Sequence, residues 1–275
     1  MKRQDHLLEV HEQAWCPAEL RDGLTDIIKN LVRALRLYDP VLPLLERAIK
    51  MSGATRIVDL CSGAGGPWVA WADRDQLPSV EKISLSDVFP NAAAAAQLRT
   101  PLDYHSQPVD ARHVDPSLSG LRTLFTSMHQ FRRDEVEAML GDAAAVRQPI
   151  AVFEFTSRSV FATGLFLLAT PLMVWLLALR YPPHRALRWL LTFLVPALPV
   201  VATLDGVVSC LRSYRPAELL EMGRAAAPEG FLWMVGTVYG WRYPLPITYL
   251  IGIPSWMPEP VGSNRLDGGV AHAHA

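Results

Sequence analysis

The sequence has few cysteines, few charges and no cluster of basic residues. Among 275 residues only three are cysteine (Cys16, Cys61 and Cys210), and they are far apart and form no CxxC pair. A disulfide framework or a zinc site is therefore not expected, no metal ligand set is predicted, and free thiols fit a reducing compartment. The formal net charge is −1 and the arginines are scattered, so the chain is not expected to bind nucleic acid.

The chain also lacks the apolar core of a signal peptide near its start, where it reads "MKRQDHLLEVHEQ". We therefore expect the catalytic part to lie in the cytoplasm. Residues 261–275 are small and polar, and we expect them to be disordered. The two histidines of that tail are interpreted as part of a loose segment rather than as metal ligands.

Apolar residues recur at steps of three and four from Pro17 to Leu37, which predicts an amphipathic helix. Residues 1–54 are interpreted as a helical cap. From residue 55 short apolar runs alternate with helical stretches, and this alternation is typical of βαβ units. Strands are predicted at 56–60, 82–88, 105–111, 122–128 and 149–156, with helices at 66–77, 91–99 and 134–146. After residue 205 the pattern predicts a helix at 216–227 and a closing hairpin of strands at 231–238 and 247–253.

The stretch "RIVDLCSGAGGPW" places an acid and three glycines between the first strand and the first helix of this pattern. A dinucleotide fingerprint would need a third glycine at Trp68, and a phosphate-binding P-loop would need a lysine that is absent. Glycines allow positive φ and close approach of a ligand to the backbone. Asp59 disfavours a phosphate at this turn and suits a ligand with an ammonium group.

Two further acids follow the next strands, Asp87 in "SLSDVFPN" and Asp110 in "PVDARHV". With these motifs the chain resembles the class I S-adenosylmethionine-dependent methyltransferases over residues 56–159, as a membrane-associated member. The resemblance implies an α/β Rossmann-like sheet with helices on both faces and S-adenosyl-L-methionine as the cofactor. It also implies that Asp87 binds the ribose hydroxyls and that Asp110 lies near the adenine amine.

The cofactor-binding residues predicted in this way are Asp59, Cys61, Ser62, Gly63, Gly65, Asp87, Val88, Asp110, Ala111 and Ser127. For each acid the alternative is a surface or capping residue. Cys61 and Ser62 are expected to pack or to contact the cofactor through the backbone, since no GxSxG elbow surrounds Ser62.

Methyl transfer needs a base only if the acceptor arrives protonated. His129, just past the fourth strand, is the candidate catalytic residue, because histidine titrates near neutral pH. The alternative is a histidine that hydrogen-bonds a loop carbonyl. Glu154 could reach the same sheet edge or pair with an arginine such as Arg158. In the resembling family an N-terminal segment often closes over the cofactor, and Trp15 and Arg21 could have this role. The alternatives are core packing for Trp15 and a solvent-exposed position for Arg21.

Residues 160–204 form an inserted apolar hairpin, which separates the core at 55–159 from its C-terminal part at 205–260. Val160–Leu179 holds twenty residues without a charge and Trp189–Leu204 sixteen more. Twenty residues just suffice to cross a bilayer and sixteen fall short. Two membrane arrangements stay open, a short transmembrane hairpin and a hairpin lying in one leaflet. The alternative to both is a buried helical pair of a soluble protein.

The hairpin leaves the carboxyl edge of the sheet, where α/β folds bind their ligands. The sequence therefore predicts a membrane-associated methyltransferase for a lipophilic small-molecule acceptor. One alternative is a methyltransferase for soluble molecules whose hairpin only anchors it. Another is a non-catalytic cofactor-binding scaffold.

Overall fold

Seven strands form one mixed sheet in the computed structural model, which describes residues 1–96, 98–181, 186–227 and 229–255. The strand order is β3-β2-β1-β4-β5-β7-β6. The first five strands run parallel, and β7 is antiparallel to both β5 and β6. The strands are β1 Arg56–Leu60, β2 Lys82–Leu85, β3 Leu102–Tyr104, β4 Leu121–Phe125, β5 Ile150–Glu154, β6 Phe231–Gly240 and β7 Tyr243–Pro254.

Helices cover both faces of this sheet, as the alternation of strands and helices predicts. They are α1 Ala18–Leu35, α2 Leu42–Ser52, α3 Gly66–Ala72, α4 Ala92–Ala95, α5 Arg133–Ala145, α6 Val160–Arg180, α7 Ala186–Trp189, α8 Ala197–Arg212 and α9 Pro216–Ala226. On one face α2 and α3 pack against Ile57 and Phe153. On the other face α5 and α9 pack against Val58 and Val152. Neighbouring strand residues thus enter opposite cores, the alternation that a sheet buried on both faces requires.

The prediction for the third strand is wrong in position. The strand is Leu102–Tyr104 instead of 105–111, and Asp110 lies in the loop after it. Pairing with β2 sets this position, since Ile83 is opposite Leu102. A three-residue strand carries too little alternation to be recognised in the sequence. The closing hairpin is confirmed as β6 and β7.

The second apolar segment is not one continuous helix. Leu190–Leu194 forms a π-helical turn after α7, and the chain then bends by 73° into α8. Pro196 lies at this break, where its missing amide hydrogen and fixed φ oppose helix continuation. The tail at 261–275, which is predicted to be disordered, lies outside the described residues.

Candidate active site

The glycine-rich turn between β1 and α3 has a backbone that few side chains tolerate. Gly63, Gly65 and Gly66 all have positive φ, at 51°, 97° and 47°. A Cβ added at Gly65 would lie 2.6 Å from Cγ2 of Val69. The turn therefore exposes backbone at the carboxyl end of β1, where a ligand can approach closely.

Asp59, in β1, fixes the position of this turn through hydrogen bonds. Its side chain is buried, and the hydroxyls of Ser62 and Thr123 donate to its two carboxylate oxygens at 2.5 Å and 2.6 Å. Burial raises the pKa of Asp59 to about 6, although these hydrogen bonds act in the opposite direction. The contact between Asp59 and an ammonium group stays a prediction, and the geometry favours a role in positioning the turn.

Asp87 is the acid that borders the turn on its outer side. Its Oδ2 accepts the amide of Gly63 and its Oδ1 accepts the amide of Phe89, both at 2.9 Å. Burial raises the pKa of Asp87, partly offset by these backbone bonds. Because a carboxylate offers about four lone-pair sites, each oxygen keeps a site for a further donor. Asp87 could therefore accept hydrogen bonds from a diol, and its contact with the ribose hydroxyls stays a prediction.

The other predicted cofactor residues divide into two groups. Ser127 and Ala111 are buried, and the Ser127 hydroxyl makes no ordinary hydrogen bond to the described residues and lies beside the thiol of Cys61. Burial raises the pKa of Cys61 well above its usual value, which keeps this thiol protonated at neutral pH. Asp110, in contrast, turns to the surface and pairs with Arg112 at 2.7 Å, which lowers its pKa. Val88 is also half exposed.

His129 lies in a 3-10 turn after β4 and is enclosed by two carboxylates. Its Nδ1 is 2.8 Å from Oε2 of Glu154 and its Nε2 is 3.1 Å from Oε1 of Glu9. Burial lowers its pKa, but the two carboxylates outweigh burial and raise it to about 10. The imidazolium therefore donates both N–H groups at neutral pH and has no lone pair for a substrate proton. The base assignment stays a prediction, and this geometry favours a structural link to the N-terminal segment.

Two sequence expectations around this cluster have different outcomes. Glu154 does reach the carboxyl edge, but its partner is His129 and not Arg158, which pairs with Glu218 at 2.6 Å. Trp15 is 69% exposed, so it is not part of the core. Arg21 donates to the carbonyls of His11 and Gln13, at 3.0 Å and 2.8 Å, and so ties the N-terminal segment to α1.

A second histidine, His11, is not among the site residues predicted from the sequence. Its Nδ1 lies 3.0 Å from Oδ2 of Asp205, and its Nε2 lies 3.3 Å from the amide nitrogen of Gln130. These contacts join the N-terminal segment to Asp205, the first acid after the uncharged run of α8, and to Gln130 in the turn after β4. The sequence gives one indication of a buried acid here, because Asp205 directly follows the uncharged segment Trp189–Leu204.

These groups line one end of a cavity of about 110 Å³ beside the sheet edge. The apolar wall of the cavity comes from α1 and α6, for example Leu24, Leu31, Phe166 and Met173. The polar end is formed by Glu9, His11, His129, Gln130 and Asp205. The segment Thr126–Gln130 therefore separates two sites, with Ser127 beside the glycine-rich turn and its neighbours lining the cavity.

No protein-family model matches the sequence, and no curated protein matches it significantly. Among solved structures the chain is similar to the plantazolicin methyltransferase BpumL in complex with SAH, with a TM-score of 0.55 and 9% identity over 89% of this chain and 92% of that chain. A second plantazolicin methyltransferase, BamL, has a TM-score of 0.46 and 8% identity, over 85% of this chain and 97% of that chain. Human N-acetylserotonin methyltransferase has a TM-score of 0.43 and 13% identity, over 79% of this chain and 52% of that chain.

The likeness to BpumL extends over most of both chains and, at this identity, concerns the fold. The mixed seven-stranded sheet with helices on both faces and a reversed β7 between β5 and β6 fits a Rossmann-like fold. The chain has the fold of the class I S-adenosylmethionine-dependent methyltransferases.

Proposed function

We propose that the protein is an S-adenosylmethionine-dependent methyltransferase that acts on a lipophilic small molecule while attached to a membrane. The observation that carries the proposal is the shared border of two sites. The turn after β4 contributes Ser127 to the glycine-rich side and Thr126, His129 and Gln130 to the apolar cavity. A donor and an acceptor held on the two sides of one short turn would be neighbours.

The residues at the glycine-rich turn fit the cofactor. Three positive-φ glycines within four residues give access to the backbone, Asp87 has free lone pairs for two hydroxyls, and Ser127 has a buried hydroxyl to offer. The cofactor supplies a methyl group already activated on a sulfonium. The protein then has to orient the acceptor and exclude water, because in-line placement accounts for most of the rate in such a transfer.

The structure of BpumL was solved in complex with SAH, which supports the cofactor assignment. The apolar walls of α1 and α6 support a lipophilic acceptor, since apolar pockets with a few polar groups bind apolar ligands and orient them by one end.

The membrane proposal concerns an exposed apolar surface on the hairpin. Among the described residues one helix, α6, is long and apolar enough to cross a membrane, and only 17% of its most apolar 18 residues are buried. We call the exposed side chains of this surface the outer apolar face. It includes Leu168, Leu172, Leu179, Leu194, Val200 and Leu204. An apolar surface of this extent is typical of a contact with lipid or with another protein.

The contacts of α6 favour an arrangement within one leaflet. At its start Ala162 is buried in the core and Phe166 stacks on Phe155. At its end Tyr181 lies 5.6 Å from the guanidinium of Arg33 in α1. Because α1 carries six charged residues and runs beside α6, both helices cannot cross hydrocarbon together. Of the two membrane arrangements, the hairpin in one leaflet is the one we propose.

Calorimetry with S-adenosylmethionine tests the cofactor site, and labelled methyl donor with a total membrane extract tests the activity. We expect micromolar to millimolar cofactor affinity and label in a lipophilic fraction. Absence of cofactor binding at millimolar concentration would contradict the function. Label only in the water-soluble fraction would instead favour the soluble-acceptor alternative.

Vesicle sedimentation tests the outer apolar face. Leu168 and Leu179 lie on the same side of α6, three turns apart, so the double change Leu168→Glu and Leu179→Glu should abolish binding to phosphatidylcholine vesicles. Trp241→Glu, at a residue that is 84% exposed outside the hairpin, is the matched control and should bind as the wild type does. A dimer that forms without vesicles and is lost in the double variant would overturn the lipid assignment.

A further inference from the structure

We propose that His11, held by Asp205, is the general base for an acceptor bound in the cavity, and that this acceptor is an apolar molecule with a weakly acidic hydroxyl group of the phenol type. The inference rests on the proposed methyl transfer and adds the substrate class and the proton acceptor. Its observations are separate from those at the glycine-rich turn.

The first observation is the pairing of His11 with a fixed carboxylate. Oδ1 of Asp205 accepts the amide of Val10 at 2.7 Å, and Oδ2 accepts the amide of His11 at 3.3 Å and lies 3.0 Å from the ring Nδ1. An ionised carboxylate only accepts hydrogen bonds, so Nδ1 carries the proton. In the neutral ring the lone pair is therefore on Nε2, in the tautomer that a base requires.

The second observation is where Nε2 lies. Its contact is the side-chain amide of Gln130, 3.3 Å away, and both residues line the cavity. His129 lines the same cavity, but each of its nitrogens is bound to a carboxylate. Of these two histidines, only His11 can take a proton from a molecule in the cavity.

The charged groups around His11 increase its basicity. Oε2 of Glu9 lies 3.5 Å from Nδ1, Asp205 approaches from α8, and Glu12 follows on the same turn. Three other charged groups lie near His11. They are the imidazolium of His129, which lines the same cavity, the carboxylate of Asp87, and the guanidinium of Arg21, which donates to the backbone carbonyl of His11. Burial lowers the pKa of His11, but Asp205 and Glu9 outweigh it and raise the pKa above 6.5.

The chemistry of the cavity selects the acceptor. Its walls are apolar, so the body of the acceptor is apolar. Its polar end holds the carboxylates of Glu9 and Asp205, which repel a carboxylate acceptor. A phenol-type hydroxyl is neutral when it binds and loses its proton to a base, which matches His11.

The transfer then balances without another reactant. Nε2 of His11 takes the hydroxyl proton, and the acceptor oxygen forms a bond to the methyl carbon. The carbon–sulfur bond breaks and its electron pair goes to sulfur, which becomes a neutral thioether. His11 afterwards releases its proton to water.

The test uses the full-length protein with 4-ethylphenol and ethylbenzene, which differ by the hydroxyl alone. Calorimetry should show at least about tenfold tighter binding of 4-ethylphenol, the effect of one good hydrogen bond to a strongly polar partner. His11→Gln should reduce this preference to less than about threefold and leave ethylbenzene binding unchanged. Equal preference in the two proteins would overturn the proposal.

Ring nitrogen NMR of His11 gives a readout that does not depend on turnover. Asp205→Asn keeps the side-chain shape and an accepting oxygen but removes the charge, so the pKa of His11 should fall. If the wild-type ring titrates below 6.5, or does not respond to Asp205→Asn, the dyad is wrong.

Turnover provides the last readout. The rate should fall as the pH is lowered through the pKa of His11, and this limb should move to lower pH in Asp205→Asn. A protein that binds 4-ethylphenol through His11 but not S-adenosylmethionine would refute the proposed function and leave the site intact. Cofactor binding without any role of His11 would refute the inference alone.

Discussion

The buried charges of His129, Glu9 and Glu154 make the stability of the protein depend on pH. The pKa of His129 is raised to about 10 from its ordinary 6.5. A group with a raised pKa stabilises the fold fully below its unfolded pKa, and this contribution is lost as the pH rises through the folded pKa. We therefore expect unfolding free energy to fall between pH 6.5 and 10.

His129→Gln should remove that dependence, because glutamine has no charge to lose. Near pH 6 the variant should be less stable by about 3–5 kcal/mol, since two carboxylates are left buried without a cation. Thermal or urea unfolding at a series of pH values measures both effects. An unchanged slope in the variant would show that other groups cause it.

Gly65 provides a second residue-level prediction. Gly65→Ala places a Cβ at 2.6 Å from Val69 and at a φ of 97°, so the turn must move. Cofactor affinity should fall at least about tenfold, measured by calorimetry, since backbone approach is the function of this turn. Gly141→Ala is the control, because its added Cβ meets nothing within 4 Å and it lies inside α5. It should leave affinity unchanged and raise stability by up to about 1 kcal/mol.

At the scale of elements, Arg188 forms ion pairs that tie the hairpin to the helical cap. Arg188 of α7 is 15% exposed and pairs with Asp22 at 3.3 Å, with Glu19 at 3.4 Å and with Asp26, all in α1. Arg188→Gln should release the α7 region and cost about 1–3 kcal/mol, the range for hydrogen bonds to charged groups. Limited proteolysis should then cut faster around residues 186–196.

Lys29→Gln is the matched control for this tether. Lys29 pairs with the other carboxylate oxygen of Asp26 at 2.8 Å, and because both side chains are about one-third exposed this ion pair contributes little. Its proteolysis should follow the wild type. Equal cleavage of all three proteins would mean that apolar packing alone holds the hairpin on α1.

At the scale of the whole molecule, membrane attachment should depend on apolar contact and not on charge. The formal net charge is −1, and the exposed side chains of the outer apolar face carry none. Binding to neutral vesicles should therefore persist when salt is raised from 0.1 M to 0.5 M, where an electrostatic attachment would be screened. Release by salt in the sedimentation assay would contradict this prediction.

How far the sequence predicts this molecule depends on how local each feature is. β1, β4, β5 and the glycine-rich turn followed from short contiguous patterns and are confirmed as elements. β3 was misplaced because three residues carry little pattern. The contact of Glu9 with His129 and the pair of His11 with Asp205 could not be predicted, because their partners are far apart in the chain. Only packing of the cap and hairpin on the sheet edge brings them together.

The pairing of β7 with β5 sets an order of events during synthesis. The hairpin of α6 to α8 leaves the ribosome before β7, while one edge of β5 has no partner strand. An open edge next to an uncharged hairpin is a point of aggregation in a nascent chain. If the proposed membrane attachment holds, early capture of the hairpin by a bilayer would protect that edge until residues 243–254 complete the sheet, and insertion would precede the last step of folding.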